Sequence, residues 1–142
     1  MKGSRKSSRR SAMQAIYQWQ MTGSDSSNVD YKFATDEDSA KIDQAYYQLL
    51  VREVTQRASE LDAMFSPLLT RPLSEVNPVE LAIMRIASYE LAYVFEVPYR
   101  VVINEAIELA KQFGAEKGHQ FINGIVDKLA HQLRKDEIAA KK

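Results

Sequence analysis

The sequence has no cysteine, which excludes disulfides, thiolate metal sites and cysteine nucleophiles together and suits a reducing cytosol. It has only five glycines in 142 residues, too few and too scattered for a phosphate-cradling loop, and no HExxH or nucleophile-elbow pattern is present. Its two histidines, His119 and His131, fall on one expected helix. They stand about 18 Å apart along the axis at roughly 1.5 Å per residue, so they cannot share a metal and read as surface or helix-end residues. Long apolar runs are also missing. "SAMQAIYQWQMT" is interrupted by three glutamines, and nothing approaches the roughly 18 apolar residues of a membrane span or the core of a signal peptide. Neither a metal nor a cofactor is expected.

Net charge is absent as well: 19 basic and 19 acidic residues cancel, so affinity for nucleic acid has to come from local distribution. That distribution is uneven. Lys2, Arg5, Lys6, Arg9 and Arg10 crowd the first ten residues, and no acid occurs before Asp25. Six acids then fall between Asp25 and Asp43 against two lysines. An acid-free, Arg/Ser-rich start also has the composition of a mitochondrial transit peptide, but the helical pattern that continues from it reads as core.

Apolar residues recur at helical spacing almost throughout, which predicts one all-α domain of six or so helices. Ala12, Met13, Ile16 and Trp19 mark the inward stripe of a first helix ending near Gly23, with Arg10, Gln14 and Tyr17 on another face. The acidic, serine-rich stretch to residue 40 reads as a loop that Tyr31 and Phe33 pin to the core. From Ile42 the period continues through Tyr46, Leu50, Val54, Leu61 and Phe65, longer than one ordinary helix. A break is expected, with Ser59 and Asp62 capping a second helix that Pro67 ends. In "NPVE", Asn77 caps, Pro78 takes the first helical position, and Glu80 reaches back to complete a capping box. The helix that follows is apolar on most sides and is therefore the central one. After Pro98, Ile103, Ile107 and Ala110 face inward and Gly114 closes the helix. Phe121, Ile122, Ile125, Val126, Leu129 and Leu133 stripe the last one. The charged end, residues 135–142, is expected to fray.

Two local patterns bear on chemistry. Glu105 and Glu108 lie one turn apart, yet Lys111 follows Glu108 at i+3, so they read as a helix surface and not as an acid/base pair. Asn123-Gly124 is a strong hairpin signal, but the helical stripe runs straight through it. A glycine inside a helix costs about 1 kcal/mol against alanine, which points to a close approach of another backbone at Gly124.

Cations in an acid-free run neutralise phosphates, which positions a nucleic acid without reading its sequence. RNA recognition adds aromatic stacking on unpaired bases, for which Tyr17 is a candidate. On these residues alone a solvated basic tail is an equal alternative.

The segments "RRSAMQAIYQWQ", "NPVELAIMRIASYEL" and "VPYRVVINEAIELAKQFGAEKGHQFINGIVDK" together resemble the NusB family of transcription antitermination factors over nearly the whole chain, least in residues 24–40. The resemblance implies six to seven helices in two perpendicular three-helix sub-bundles, here residues 11–72 and 77–134 behind a basic segment 1–10. It also implies no enzymatic activity, a bacterial cytoplasmic location, and binding of single-stranded boxA RNA. Its implied partners are ribosomal protein S10 (NusE) and, within the antitermination complex, NusA, NusG and RNA polymerase. Carried over, the RNA-binding positions are Arg5, Lys6, Arg9, Arg10, Tyr17 and Phe121, with Tyr17 and Phe121 adjacent in the fold and Glu80 on the partner-binding face; Lys2 of the basic run and Lys117 before the last helix are expected to add cations to the RNA surface. Leu73 stands where many members have tryptophan, and the basic segment is less dense in arginine than theirs. Rival readings are a helical adaptor or homodimer that never touches RNA, and the accessory domain of an RNA cytosine methyltransferase, for whose transfer domain the chain is too short.

Overall fold

The computed structural model describes residues 4–23 and 42–140. Lys2 and the acidic stretch with Tyr31 and Phe33 lie outside the described residues. Among the described residues seven α-helices run in order: α1 (Arg5–Thr22), α2 (Gln44–Gln56), α3 (Ala58–Phe65), α4 (Pro78–Tyr93), α5 (Tyr99–Phe113), α6 (Gly118–Leu133) and α7 (Lys135–Ala140). Short 3₁₀ turns at Ser66–Leu68 and Leu73–Glu75 join α3 to α4. The fold is all-α, with no strand among the described residues.

Local chemistry accounts for most of the ends. Ser4 caps α1, its hydroxyl accepting from Ser7 N at 3.0 Å, and Gly23 closes it at φ +68°, a left-handed conformation that favours glycine. Asp43 caps α2 by accepting from Tyr46 N. Asp43 N also donates to Ser8 Oγ at 2.8 Å, tying the start of α2 to α1. The expected break after α2 exists, but it falls at Arg57, with no side-chain cap. Ser59 is an exposed residue inside α3, and Asp62 instead holds Arg85 at 2.8 and 2.7 Å. The helix ends at Phe65, and Pro67 sits in the 3₁₀ turn that follows.

Asn77 Oδ1 accepts from Val79 N at 2.9 Å and Glu80 N at 3.3 Å. The capping box does not close, because the Glu80 carboxylate turns the other way and accepts from Ala115 N at 3.1 Å. Residues 82–91 are buried without interruption, and α4 packs on α1, α2, α3, α5 and α6. A helix enclosed on all sides has to be apolar all round, which its sequence nearly is; of its buried charged residues, Arg85 and Glu90 are paired with opposite charges and Glu80 accepts from Ala115 N.

Gly124 departs from expectation. It is exposed, and a Cβ there would meet nothing within 4 Å, so it is a tolerated helical glycine and no backbone approaches it. The tightest approach is at Gly118, whose Cβ would lie 2.3 Å from the Glu80 Oε2 atom. Residues Lys135–Ala140 of the charged end form α7. Glu137 accepts from Tyr99 N at 2.9 Å and from Arg134, and this fastens α7 to the start of α5.

Candidate nucleic-acid interface

Helical spacing divides the basic segment into two faces. Arg9 precedes Ala12 and Met13 by three and four residues, which places it on their inward stripe, and Arg5 is one turn before it. Lys6 and Arg10, also four apart, point outward.

Arg9 is buried at 4 % exposure. Its Nε lies 2.9 Å from both Glu90 oxygens and its Nη2 lies 2.8 Å from Oε2. The Tyr46 phenol donates to the same carboxylate. Burial works against the Arg9 charge, but the Glu90 hydrogen bonds and charge outweigh it and hold the guanidinium above its ordinary pKa. Burial first, then the charge and hydrogen bond of Glu90, push the Tyr46 phenol well up as well, so it stays protonated and donating. Two of the donor groups of Arg9, a residue expected to contact RNA, are thus held by Glu90 inside the protein, while its Nη1 faces Glu105 at 3.8 Å. Arg5 stacks over the Tyr46 ring at 4.2 Å and approaches Glu96 at 3.6 Å, half-exposed at the edge of this cluster.

The outward pair lines a cleft between α1 and α5. Lys6, Ser7, Arg9 and Arg10 form one wall and Glu105, Glu108 and Gln112 the other, over Leu109. Arg10 is exposed and enters no ion pair among the described residues. Lys6 Nζ lies 3.8 Å from Glu105 Oε2, and Arg9 Nη1 lies 3.8 Å from Glu105 Oε1. Glu108 pairs with Lys111 at 4.0 Å, as its spacing predicts; Glu105 does not behave as a plain surface residue, because it reaches across to α1.

The remaining candidates lie on other elements. Tyr17 is half-buried on α1, packed against the core. Phe121 is half-buried in the first turn of α6, with the exposed Arg71 guanidinium 4.6 Å over its ring; both aromatic faces and guanidinium planes stack on unpaired bases. Lys117 is exposed at φ +64° just before α6. Helices α1 and α6, which carry Tyr17 and Phe121, each pack on α4. Glu80, expected on the partner-binding face, is 3 % exposed, and its carboxylate accepts from Ala115 N beneath the α5–α6 turn.

Sequence reasoning missed Glu90, Glu105, Tyr46 and Arg71. The signal for Glu90 was available, since an acid in an otherwise apolar, enclosed helix demands a cation from elsewhere. Among the described residues no group of three or more histidine or acidic side chains could hold a metal, and no helix is long and apolar enough to cross a membrane.

Comparison with known proteins agrees with this architecture. The NusB family model matches residues 6–131. The chain is 51 % identical over 140 residues to the transcription antitermination protein NusB of Marinomonas sp. (strain MWYL1), covering 97 % of this chain and 80 % of that protein. It is 54 % identical over 130 residues to the protein of the same name from Shewanella halifaxensis, covering 92 % and 96 %. Against the solved structure of T. maritima NusB the TM-score is 0.75 at 27 % identity, covering 92 % of each chain.

Proposed function

The chain belongs to the NusB family, and on that premise we propose that it is a transcription antitermination factor, a non-enzymatic RNA-binding protein of the bacterial cytoplasm. In this reading it binds single-stranded boxA leader RNA together with ribosomal protein S10 (NusE). The pair then works with NusA, NusG and RNA polymerase to keep transcription of ribosomal RNA operons processive. The observation that carries the reading is the extent of the family match, which takes in Lys6, Arg10, Tyr17, Lys117 and Phe121.

The physical division of labour follows from exposure. Lys6 and Arg10 supply phosphate contacts on α1, while Phe121 with Arg71 supplies a stacking surface at the start of α6. Arg9 contributes indirectly, by holding the helix that carries Lys6 and Arg10.

Fluorescence anisotropy of a boxA strand and a scrambled strand, with and without S10, across a salt series tests this. Wild type is expected to prefer boxA, more strongly with S10. In Lys6→Ala/Arg10→Ala the slope of log K against log salt is expected to fall by about 1.4, roughly 0.7 for each lost single-strand phosphate contact. Equal, weak binding of both strands, unaffected by the substitutions or by S10, overturns the reading in favour of an adaptor without RNA.

A further inference from the structure

Glu105 stands where one anion meets Lys6 and Arg9 together. Its two oxygens are 3.8 Å from Lys6 Nζ and 3.8 Å from Arg9 Nη1, beyond hydrogen-bond range and just inside the roughly 4 Å reach of an ion pair. Arg9 is already neutralised by Glu90 at 2.8 Å, so the charge of Glu105 is balanced chiefly by Lys6. The Lys6 side chain is 65 % exposed and that of Glu105 19 %, so the pair faces the cleft and not the core. Exposed pairs of this length are weak, and lysine binds carboxylate and phosphate oxygens alike, as a point charge with rotatable donors. A strand whose phosphate settles on Lys6 has to take that cation from Glu105 and tolerate the carboxylate beside it.

We propose that Glu105 is the internal counter-ion of this cleft: it occupies Lys6 in the free protein, gives it up when a phosphodiester binds, and so sets the affinity and salt dependence of the RNA site. The inference rests on the reading that the outer face of α1 binds RNA. It assigns a role to the α5 wall that the basic segment alone does not suggest.

The sign of one substitution decides it. Glu105→Gln keeps the side-chain shape and removes the competing charge. Binding of single-stranded boxA RNA is expected to tighten about fivefold at 0.1 M salt, with a slope steeper by about 0.7, the effect of one more phosphate contact. Glu60→Gln, which makes the same change in net charge on exposed α3, is expected to leave both unchanged. Lys6→Ala should then weaken binding more in the Glu105→Gln background than in wild type, since only there is Lys6 free. Glu105→Ala provides the same reading if the amide disturbs folding, as judged by circular dichroism.

Weaker or unchanged binding in Glu105→Gln, beside a wild type that binds, overturns the proposal and leaves Glu105 as a residue that merely positions Lys6. An equal gain in Glu60→Gln also overturns it, because the effect is then net charge alone. If wild type binds no single strand at any salt, the RNA reading itself fails, a result distinct from the other two.

Discussion

The Arg9 guanidinium and the Glu90 carboxylate meet inside the protein, Nε at 2.9 Å from each oxygen, and join the first turns of α1 to the central helix α4. Removing one member of such a pair leaves an uncompensated buried charge, whereas replacing both by apolar groups of similar size is far milder.

Arg9→Ala should therefore cost about 3–5 kcal/mol, while Arg10→Ala, one residue on but exposed, should stay within about 0.5 kcal/mol. Arg9→Met/Glu90→Leu should recover much of the loss. Urea unfolding of the variants measures all of this, and equal stability of the two alanine variants would contradict the division of the basic segment into an inner and an outer face.

Tyr46 gives the pH dependence. Burial and then the Glu90 charge raise its folded pKa, so the folded protein keeps the proton to higher pH than the unfolded chain, where the phenol ionises near 10. The stabilisation is complete below about pH 10 and is lost as pH rises from there, by up to about 1.4 kcal/mol per pH unit. Tyr46→Phe should be less stable at pH 8 by about 1–3 kcal/mol, because Glu90 loses a buried donor, and should lack this share of the alkaline loss. Urea midpoints of the two proteins should converge between pH 8 and 11; parallel curves would mean that the phenol does not titrate with unfolding.

The all-α class, the Asn77-Pro78 start of α4, the Gly23 stop and the enclosed central helix were legible because each is a local pattern with a local cause. The inward stripe of α1 was legible only from Ala12 onward, because spacing alone does not distinguish an arginine that continues an apolar stripe from one that faces water. What decided Arg9 was Glu90, on another helix and 81 positions away in sequence. Glu105 and Arg71 were missed for the same reason: a helix-surface acid and a loop cation acquire a role only when α1 and Phe121 are packed beside them. Glu80 shows the converse, a residue whose local pattern fits a capping box but whose carboxylate finds a better donor across the fold at Ala115 N.

The two glycines of α6 should respond oppositely to alanine. At Gly118 a Cβ would sit 2.3 Å from the Glu80 Oε2 atom and 3.0 Å from its Cδ atom, so Gly118→Ala has to push a buried carboxylate off Ala115 N and should cost about 1–3 kcal/mol. At Gly124 the space is open, and Gly124→Ala should stabilise by about 0.5–1 kcal/mol through helix propensity and reduced freedom of the unfolded chain. Thermal melting of both variants checks the pair. A stabilising Gly118→Ala would mean that Glu80 moves aside freely and does not brace the turn before α6.

Arg134, which directly follows the last helical stripe residue Leu133, is buried at 3 % exposure. Its guanidinium donates to the carbonyls of Glu90 at 3.0 Å, Leu91 at 2.8 Å, Val94 at 3.0 Å and Val97 at 2.9 Å. A helix leaves its last carbonyls short of intrahelical partners, and here one side chain from the end of α6 donates to two in the last turn of α4 and to two in the turn that leads into α5. Arg134→Ala should cost at least about 3 kcal/mol, since several buried acceptors lose a charged donor at once. Arg134→Lys should recover less than half of that, because an ammonium keeps the charge but lacks the planar fork of five donors that spans the four oxygens. Urea unfolding gives both values; full rescue by lysine would show that charge, and not the fork of hydrogen bonds, holds the α4–α5 turn.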